Sequence, residues 1–147
     1  MSVTVDTNVL VYASNRADPW HASARSVLGH LATGPAIVYL FWPVLLGYLR
    51  LVTHPAILPR PLGPEKAIRN VSRLIELPHV RTAGEGESFW TTFVSTAPPH
   101  VRGNDVPDAH LAALMRQQGV RIIYTLDRGF RRYEDIEVRE LPATATT

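Results

Sequence analysis

The chain has 147 residues, and 15 Lys and Arg against 13 Asp and Glu give a formal net charge of +2. This length fits one domain, and the lack of cysteine excludes disulfides, thiolate metal sites and a cysteine nucleophile. The fractions of hydrophobic (46%) and charged (19%) residues are typical of a globular protein and not of a disordered one.

Apolar periodicity and turn residues predict strands that alternate with helices. A β-branched run opens the chain and stops at Asp6, while Asp18 and Pro19 are typical of a helix start and Gly119 of a helix end. The predicted strands are residues 2–6, 36–41, 79–82, 120–127 and 137–141. The predicted helices are residues 19–33, 44–54, 64–77, 85–96 and 107–118.

This alternation is typical of βαβ crossovers, which build a mostly parallel sheet with helices on both faces. We therefore predict an α/β fold. In such sheets, ligands bind beyond the carboxyl ends of the strands. Asp6 and Asp127 each end a predicted buried strand, so we expect both side chains at that edge.

No targeting or membrane segment is predicted. The first apolar stretch contains Asp6 and follows no basic segment, so we expect no signal peptide and a cytoplasmic location. The longest apolar run, residues 37–49, contains Pro43 and Gly47 and is shorter than the ~18 residues that span a bilayer. We therefore expect no membrane association.

Four of the six aspartates fall where the α/β interpretation places the ligand crevice: Asp6, Asp105, Asp108 and Asp127. Crowded carboxylates repel each other and raise one another's pKa unless a cation neutralises them. Oxygen ligands without Cys or paired His favour Mg²⁺, or Mn²⁺, over zinc. The pattern therefore points to metal-assisted hydrolysis of a phosphodiester.

Each of these acids also has a structural interpretation. Asp105, Pro107 and Asp108 fit the N-cap, early proline and third-position acid of a helix start. Asp6 and Asp127 fit turns that end strands. Capping and metal binding are compatible, because a helix N-terminus favours a carboxylate.

Several neighbours have possible supporting roles at this crevice. Thr7 and Asn8 can orient Asp6 or form an Asx-type turn. Thr125, two residues before Asp127, points to the same side of a strand and can support the site or simply favour β-structure. The six histidines form no i, i+4 pair, and His110 is the one closest to the acids in sequence.

Arginines and an apolar segment offer two candidate contact surfaces. Arg128, Arg131 and Arg132 follow Asp127 and can either meet phosphates or form a solvated face. The apolar residues of the third helical region can form core or a surface for a second copy or a partner helix. These residues are Trp42, Leu45, Leu46, Tyr48 and Leu49.

Four segments together resemble a PIN domain of the VapC toxin type: VDTNVLVYA, FWPVLLGYLRLVTHP, VPDAHLAALMRQQG and IIYTLDRGF. The resemblance implies a three-layer α/β/α PIN-like domain over residues 1–141 with a central, mostly parallel sheet, followed by a flexible tail at 142–147. It also implies a Mg²⁺-dependent endoribonuclease that cleaves cellular RNA. The implied partners are a cognate VapB-type antitoxin and a second copy in a homodimer.

The resemblance assigns the acids individually. Asp6 matches the first aspartate of the family, Asp108 that of the D-A-x-L-A-A segment and Asp127 that of the T-x-D-x-x-F segment, with looser support for Asp105. Two positions depart from the family pattern. Gly47 stands where many relatives have glutamate, and Gly129 stands where relatives often have a further acid.

Three other functions remain open at this point. The two glycines favour a non-catalytic module that binds RNA or a partner. A Mg²⁺-dependent phosphatase would use Asp6 as its nucleophile, but Asn8 stands where that pattern has a second aspartate. A receiver-type signalling domain would need an acidic pair before its strand-end aspartate, which this chain lacks.

Overall fold

A five-stranded parallel sheet forms the centre of the molecule in the computed structural model, which describes residues 1–143. Its strands follow the order β3-β2-β1-β4-β5. The strands are β1 (Ser2–Val5), β2 (Ile37–Phe41), β3 (Val80–Ala83), β4 (Ile122–Tyr124) and β5 (Glu137–Arg139). The helices are α1 (Thr7–Ser14), α2 (His21–Thr33), α3 (Trp42–Val52), α4 (Pro64–Ile75), α5 (Phe89–Thr96) and α6 (Asp105–Gln118), with a 3-10 helix at Arg128–Arg132.

The predicted three-layer α/β/α fold is confirmed. All four strand pairs are parallel, and β1 lies at the centre between β2 and β4. Three of its four residues are buried, as expected for a strand with helices over both faces. Among the helices, α1 packs against α2 and α3, whereas α5 packs against α6.

The central register sets the position of the functional edge. Val3 pairs with Val38 of β2 on one side and with Ile122 of β4 on the other. Because parallel strands end at the same edge, the residues that follow β1 and β4 come together although they are far apart in sequence. Asp6 continues this pairing, since its backbone N–H donates to the Tyr124 carbonyl at 3.0 Å.

The helix boundaries differ from the predicted ones at several starts. Residues 7–14 form α1, although no element was predicted there. The sequence did not indicate this helix, because its buried residues Val9, Leu10 and Val11 are consecutive and show no helical spacing. Helix α2 begins at His21 and not at Pro19, after a turn in which Asp18 accepts from the Trp20 N–H at 2.8 Å.

Two later helices also start away from the predicted residue. Helix α5 starts at Phe89, four residues after the predicted start. Helix α6 starts at Asp105, two residues before Pro107, and ends at Gly119 as predicted, where φ is +70°. The left-handed conformation of Gly119 closes the helix at low steric cost.

The C-terminal end of the described chain contacts the fold, since the Pro142 carbonyl accepts a hydrogen bond from Ser23. Of the predicted tail at 142–147, residues 144–147 lie outside the described residues. None of the helices found in residues 1–143 has the length and apolar character needed to cross a membrane.

Candidate active site

Asp6 links the end of β1 to the start of α1. Its Oδ1 accepts the Thr7 backbone N–H at 2.7 Å, and its Oδ2 accepts the Thr125 hydroxyl at 2.9 Å. These two bonds hold the carboxylate on the N-terminus of α1, where the helix dipole favours negative charge. Burial nevertheless raises the pKa of Asp6, and the charge of Asp127 adds to that rise.

Thr125 connects two of the acids. Its hydroxyl donates to Asp6 and accepts the backbone N–H of Asp127 at 2.9 Å, and the residue is only 1% exposed. The Asp127 carboxylate in turn accepts the Gly129 N–H at 2.8 Å and caps the 3-10 helix. Two interpretations of Thr125 were open from the sequence, support of the site and ordinary β-propensity, and these two hydrogen bonds favour support of the site.

Asp108 reaches the same place from α6. Burial and the neighbouring carboxylates of Asp127 and Asp6 raise the pKa of Asp108 to about 7, while the Arg132 charge opposes this rise. A Cβ added to Gly129 would lie 3.0 Å from Asp127 Oδ1 and 3.2 Å from Asp108 Oδ2. The two carboxylates thus border one small space next to Gly129.

Asp105 takes a different position from the other three acids. It is the first residue of α6, and its Oδ1 lies 3.5 Å from Arg132 Nη2. The interpretation of Asp105 as the N-cap is wrong, because Asn104 is the N-cap, without a side-chain hydrogen bond. Asp108 is consequently the fourth residue of the helix and not the third.

The two glycines that depart from the family pattern both border this site. Gly129 lies against Asp127 and Asp108, as described above. A Cβ at Gly47 would lie 3.3 Å from Cγ2 of Thr7, the residue whose backbone N–H donates to Asp6. Both departures therefore lie beside the acids or beside a residue that is bonded to one of them.

Other predicted neighbours are placed elsewhere. Thr7 contacts Asp6 through its backbone N–H, whereas Asn8 is exposed. His110 pairs with Glu85 and packs edge-on against Phe89, with ring centroids 5.4 Å apart. Nothing in the sequence spacing indicated this His110 and Glu85 pair, because 25 residues separate the two.

The donor chemistry of this site fits a hard divalent cation. Asp6, Asp108 and Asp127 supply only oxygen ligands, and their mutual repulsion favours a positive ion among them. Within residues 1–143, no three His, Asp or Glu side chains are already arranged as a set of metal ligands. The fit therefore rests on the charge and donor type of the three acids and on the small space that Asp108 and Asp127 both border.

The three arginines after Asp127 differ in their contacts. Arg128 is 81% exposed, and Arg131 pairs with Glu140 at 2.6 Å. Arg132 faces the acids, since its Nη2 lies 3.5 Å from Asp105. The interpretation as a solvated face thus fits Arg128 best, whereas Arg132 borders the crevice.

The apolar segment of α3 divides between core and surface. Leu45 and Tyr48 are buried, whereas Trp42 and Leu46 are exposed. A separate cleft of about 500 Å³ lies among α1, α2, α3 and α4, with apolar walls that include Leu10, Leu28 and Leu74. Its lining also contains four exposed cations and no acid: Arg16, Arg25, Lys66 and Arg73.

The chain is similar to proteins of one family in both sequence and fold. It matches the model of the PIN domain over residues 3–136. Ribonuclease VapC48 of Mycobacterium tuberculosis is 49% identical over 141 residues, which cover 95% of this chain and 97% of that protein. Ribonuclease VapC43 of the same species is 36% identical over 137 residues, with 92% of each chain covered.

The fold is also found in a solved structure of VapBC2. A chain of VapBC2 from Rickettsia felis, solved bound to a DNA fragment from their promoter, gives a TM-score of 0.68 at 15% identity. The match covers 97% of this chain and 100% of that chain. At this identity, the likeness establishes the shared fold.

Proposed function

The chain belongs to the PIN-domain family and to its VapC ribonucleases, and on that premise we propose that it is a Mg²⁺-dependent toxin that cleaves cellular RNA internally. The observation that carries the proposal is the meeting of Asp6, Asp108 and Asp127 at the carboxyl edge of a parallel sheet. Such an edge is where α/β folds bind their ligands.

In this proposal, Asp6, Asp108 and Asp127 hold the metal, and Asp105 lies at the border of this metal site. Mg²⁺ is the expected ion and Mn²⁺ an alternative, because all donors are carboxylate oxygens. When bound, such an ion supplies Lewis acidity that lowers the pKa of a water and offsets the charge of the phosphate.

The residues of the chain contribute orientation and charge. The Thr125 hydroxyl and the Thr7 N–H fix both oxygens of Asp6, and the Gly129 N–H fixes one oxygen of Asp127. In the hydrolysis, a water loses a proton as its oxygen bonds to phosphorus, the bond from phosphorus to one ribose oxygen breaks, and that ribose oxygen gains a proton. Carboxylates held in advance avoid reorganisation during this step.

The most direct test compares Asp6→Asn with wild type on RNA. Loss of one preorganised electrostatic group costs ~10²–10³ in kcat, so we expect cleavage to fall by that amount. Thermal stability should stay near or above that of wild type, because the change removes one charge from crowded carboxylates. Cleavage is measured by gel on total RNA with Mg²⁺, with Mn²⁺ and with chelator.

Asp18→Asn is the matched control for this test. Asp18 lies in the turn before α2, and asparagine retains the acceptor for the Trp20 N–H. The control should cleave RNA like wild type. Equal cleavage by Asp6→Asn and wild type would overturn the site, whereas RNA binding by wild type without cleavage would favour the non-catalytic module.

We also propose that a VapB-type antitoxin restrains this toxin. A chain of VapBC2, a protein whose name joins VapB to VapC, shares the fold of this chain. The cleft among α1, α2, α3 and α4 supports such a partner, because its apolar walls and four cations suit an acidic segment with apolar side chains. A homodimer through the exposed Trp42 and Leu46 remains a separate proposal.

A further inference from the structure

Arg132 borders the same small space as two of the site carboxylates. Its Nη2 lies 3.5 Å from the point where a Cβ of residue 129 would stand, and Asp127 Oδ1 and Asp108 Oδ2 lie 3.0 and 3.2 Å from that point. Because residue 129 is glycine, no side chain separates the guanidinium from these carboxylates. The missing side chain at position 129 therefore lets a cation approach the acids.

The guanidinium is held in place from two sides. Its Nε donates to the Gly129 carbonyl at 3.0 Å, and its Nη2 lies 3.5 Å from Asp105 Oδ1. The second distance is that of an ion pair and not of a short hydrogen bond, so most N–H groups of the fork remain available. The side chain is 39% exposed, which lets a ligand from solvent reach it.

Of the three arginines that follow Asp127, Arg132 is the one whose guanidinium lies beside an acid of the site, with Nη2 3.5 Å from Asp105 Oδ1. Arg131, by comparison, is neutralised by Glu140 at 2.6 Å, and Arg128 is largely exposed. A planar guanidinium with free donors matches two phosphate oxygens at once.

We propose that Arg132 is a fixed cation of the active site, which takes the place of a second metal ion and binds the RNA phosphate beside the bond that is cleaved. Asp105 then anchors this arginine and is not a metal ligand. The inference rests on the proposed ribonuclease function. It predicts one divalent ion per chain and a negative effect of Arg132 on metal affinity, because like charges repel.

The test measures metal binding and RNA cleavage separately. Arg132→Gln should bind Mn²⁺ about tenfold more tightly by calorimetry, since one positive charge next to the acids is lost. The same variant should cleave RNA with a kcat/KM ~10²-fold lower at saturating Mn²⁺. Arg132→Lys should bind Mn²⁺ like wild type but cleave more slowly, because lysine keeps the charge and lacks the fork.

Arg121→Gln is the charge-matched control. Arg121 is exposed and directly precedes β4, at the opposite edge of the sheet from the acids. It should change neither measurement. Tighter metal binding combined with slower cleavage is an outcome that mere loss of packing does not produce.

Three outcomes would overturn the inference. These are unchanged cleavage by Arg132→Gln, weaker Mn²⁺ binding by that variant, and two ions per chain in wild type. If Arg132→Gln does not fold, Arg132→Lys decides through its cleavage rate. Wild type that neither binds Mn²⁺ nor cleaves RNA would refute the proposed function itself, whereas an active wild type with an unaffected variant refutes only the role of Arg132.

Discussion

At the scale of single residues, the acids of the site differ in how their charge is accommodated. Asp6 is half-buried and accepts two hydrogen bonds, which oppose the rise in its pKa that burial causes. Asp105 is balanced by Arg132. At Asp108, the Arg132 charge only partly offsets burial and the neighbouring carboxylates, which raise its pKa to about 7. Folding without a cation therefore costs free energy mainly at Asp108.

Because of this cost, we expect Asp108→Asn to change the free energy of unfolding in a pH-dependent way when a chelator removes divalent ions. The folded pKa of about 7 lies above the ordinary aspartate pKa of 3.8, so between these two pH values the folded state retains a proton that the unfolded state releases. The stability of wild type therefore falls as pH rises through this window. Asp108→Asn removes the fall, and at pH 8 we expect it to be more stable by ~1–2 kcal/mol after discounting for partial exposure.

Denaturant unfolding between pH 4 and pH 8 measures this difference. It should be close to zero at pH 4 and grow with pH, and Mg²⁺ should stabilise wild type more than the variant. A difference that shrinks as pH rises would contradict the assignment of the cost to the Asp108 charge.

At the scale of elements, the site depends on how β1 and β4 end. Thr125 and Asp6 are 119 residues apart in sequence, and their hydrogen bond joins the ends of the two strands. Helix α6 brings Asp108 to the same edge, because it starts at Asp105 and presents its first turn there. The 3-10 helix adds Arg132 from the segment after β4.

Thr125→Val tests this connection between strands. The change keeps the side-chain shape but removes a buried hydroxyl that serves Asp6 and the Asp127 N–H. We expect a loss of ~1–3 kcal/mol in stability and a drop of ~10–100-fold in metal affinity or cleavage, the usual effect of losing a group that orients ligands.

Thr4→Val separates stability from function. Thr4 is equally buried in β1, and its hydroxyl donates to the Tyr39 carbonyl at 2.7 Å, away from the acids. It should lower stability by a similar amount and leave metal affinity and cleavage unchanged. If both variants lose cleavage equally, the role of Thr125 at the site is wrong and its effect is one of stability.

At the scale of the whole molecule, the site acids and the cleft lined by four cations lie in different parts of the fold. The acids follow β1 and β4 and start α6, whereas the cleft lies among α1, α2, α3 and α4. Helix α1 takes part in both, since it begins at the Asp6 cap and its Leu10 lines the cleft. A partner seated in the cleft would therefore contact the helix that carries the cap of the site.

Charge reversal in the cleft tests the proposed antitoxin contact. Arg25→Glu with Arg73→Glu should weaken binding of the co-expressed antitoxin by ~10-fold or more and reduce its salt dependence, because two favourable charges become repulsive. RNA cleavage by the free toxin should be unchanged. Affinity for the antitoxin is measured by calorimetry at two salt concentrations, with Arg121→Glu as the control. Equal affinities of wild type, the double variant and Arg121→Glu would contradict an antitoxin contact in the cleft.

The sequence by itself determined the element types, the parallel α/β architecture and the family. Local spacing carries this information, because apolar periodicity and a helix-ending glycine such as Gly119 depend on residues close together in the chain. Helix α1 escaped detection since its buried residues are consecutive. The candidate acids were also visible in sequence, although their role as metal ligands remains a proposal.

Only the tertiary structure decided how these acids are arranged. Strand pairing joined Asp6 to Thr125 across 119 residues, and the packing of α6 against the 3-10 helix set Asp105 beside Arg132 while Asp108 turned towards Asp127. No local pattern encodes these contacts, because charge and burial at one edge depend on elements that meet only after folding.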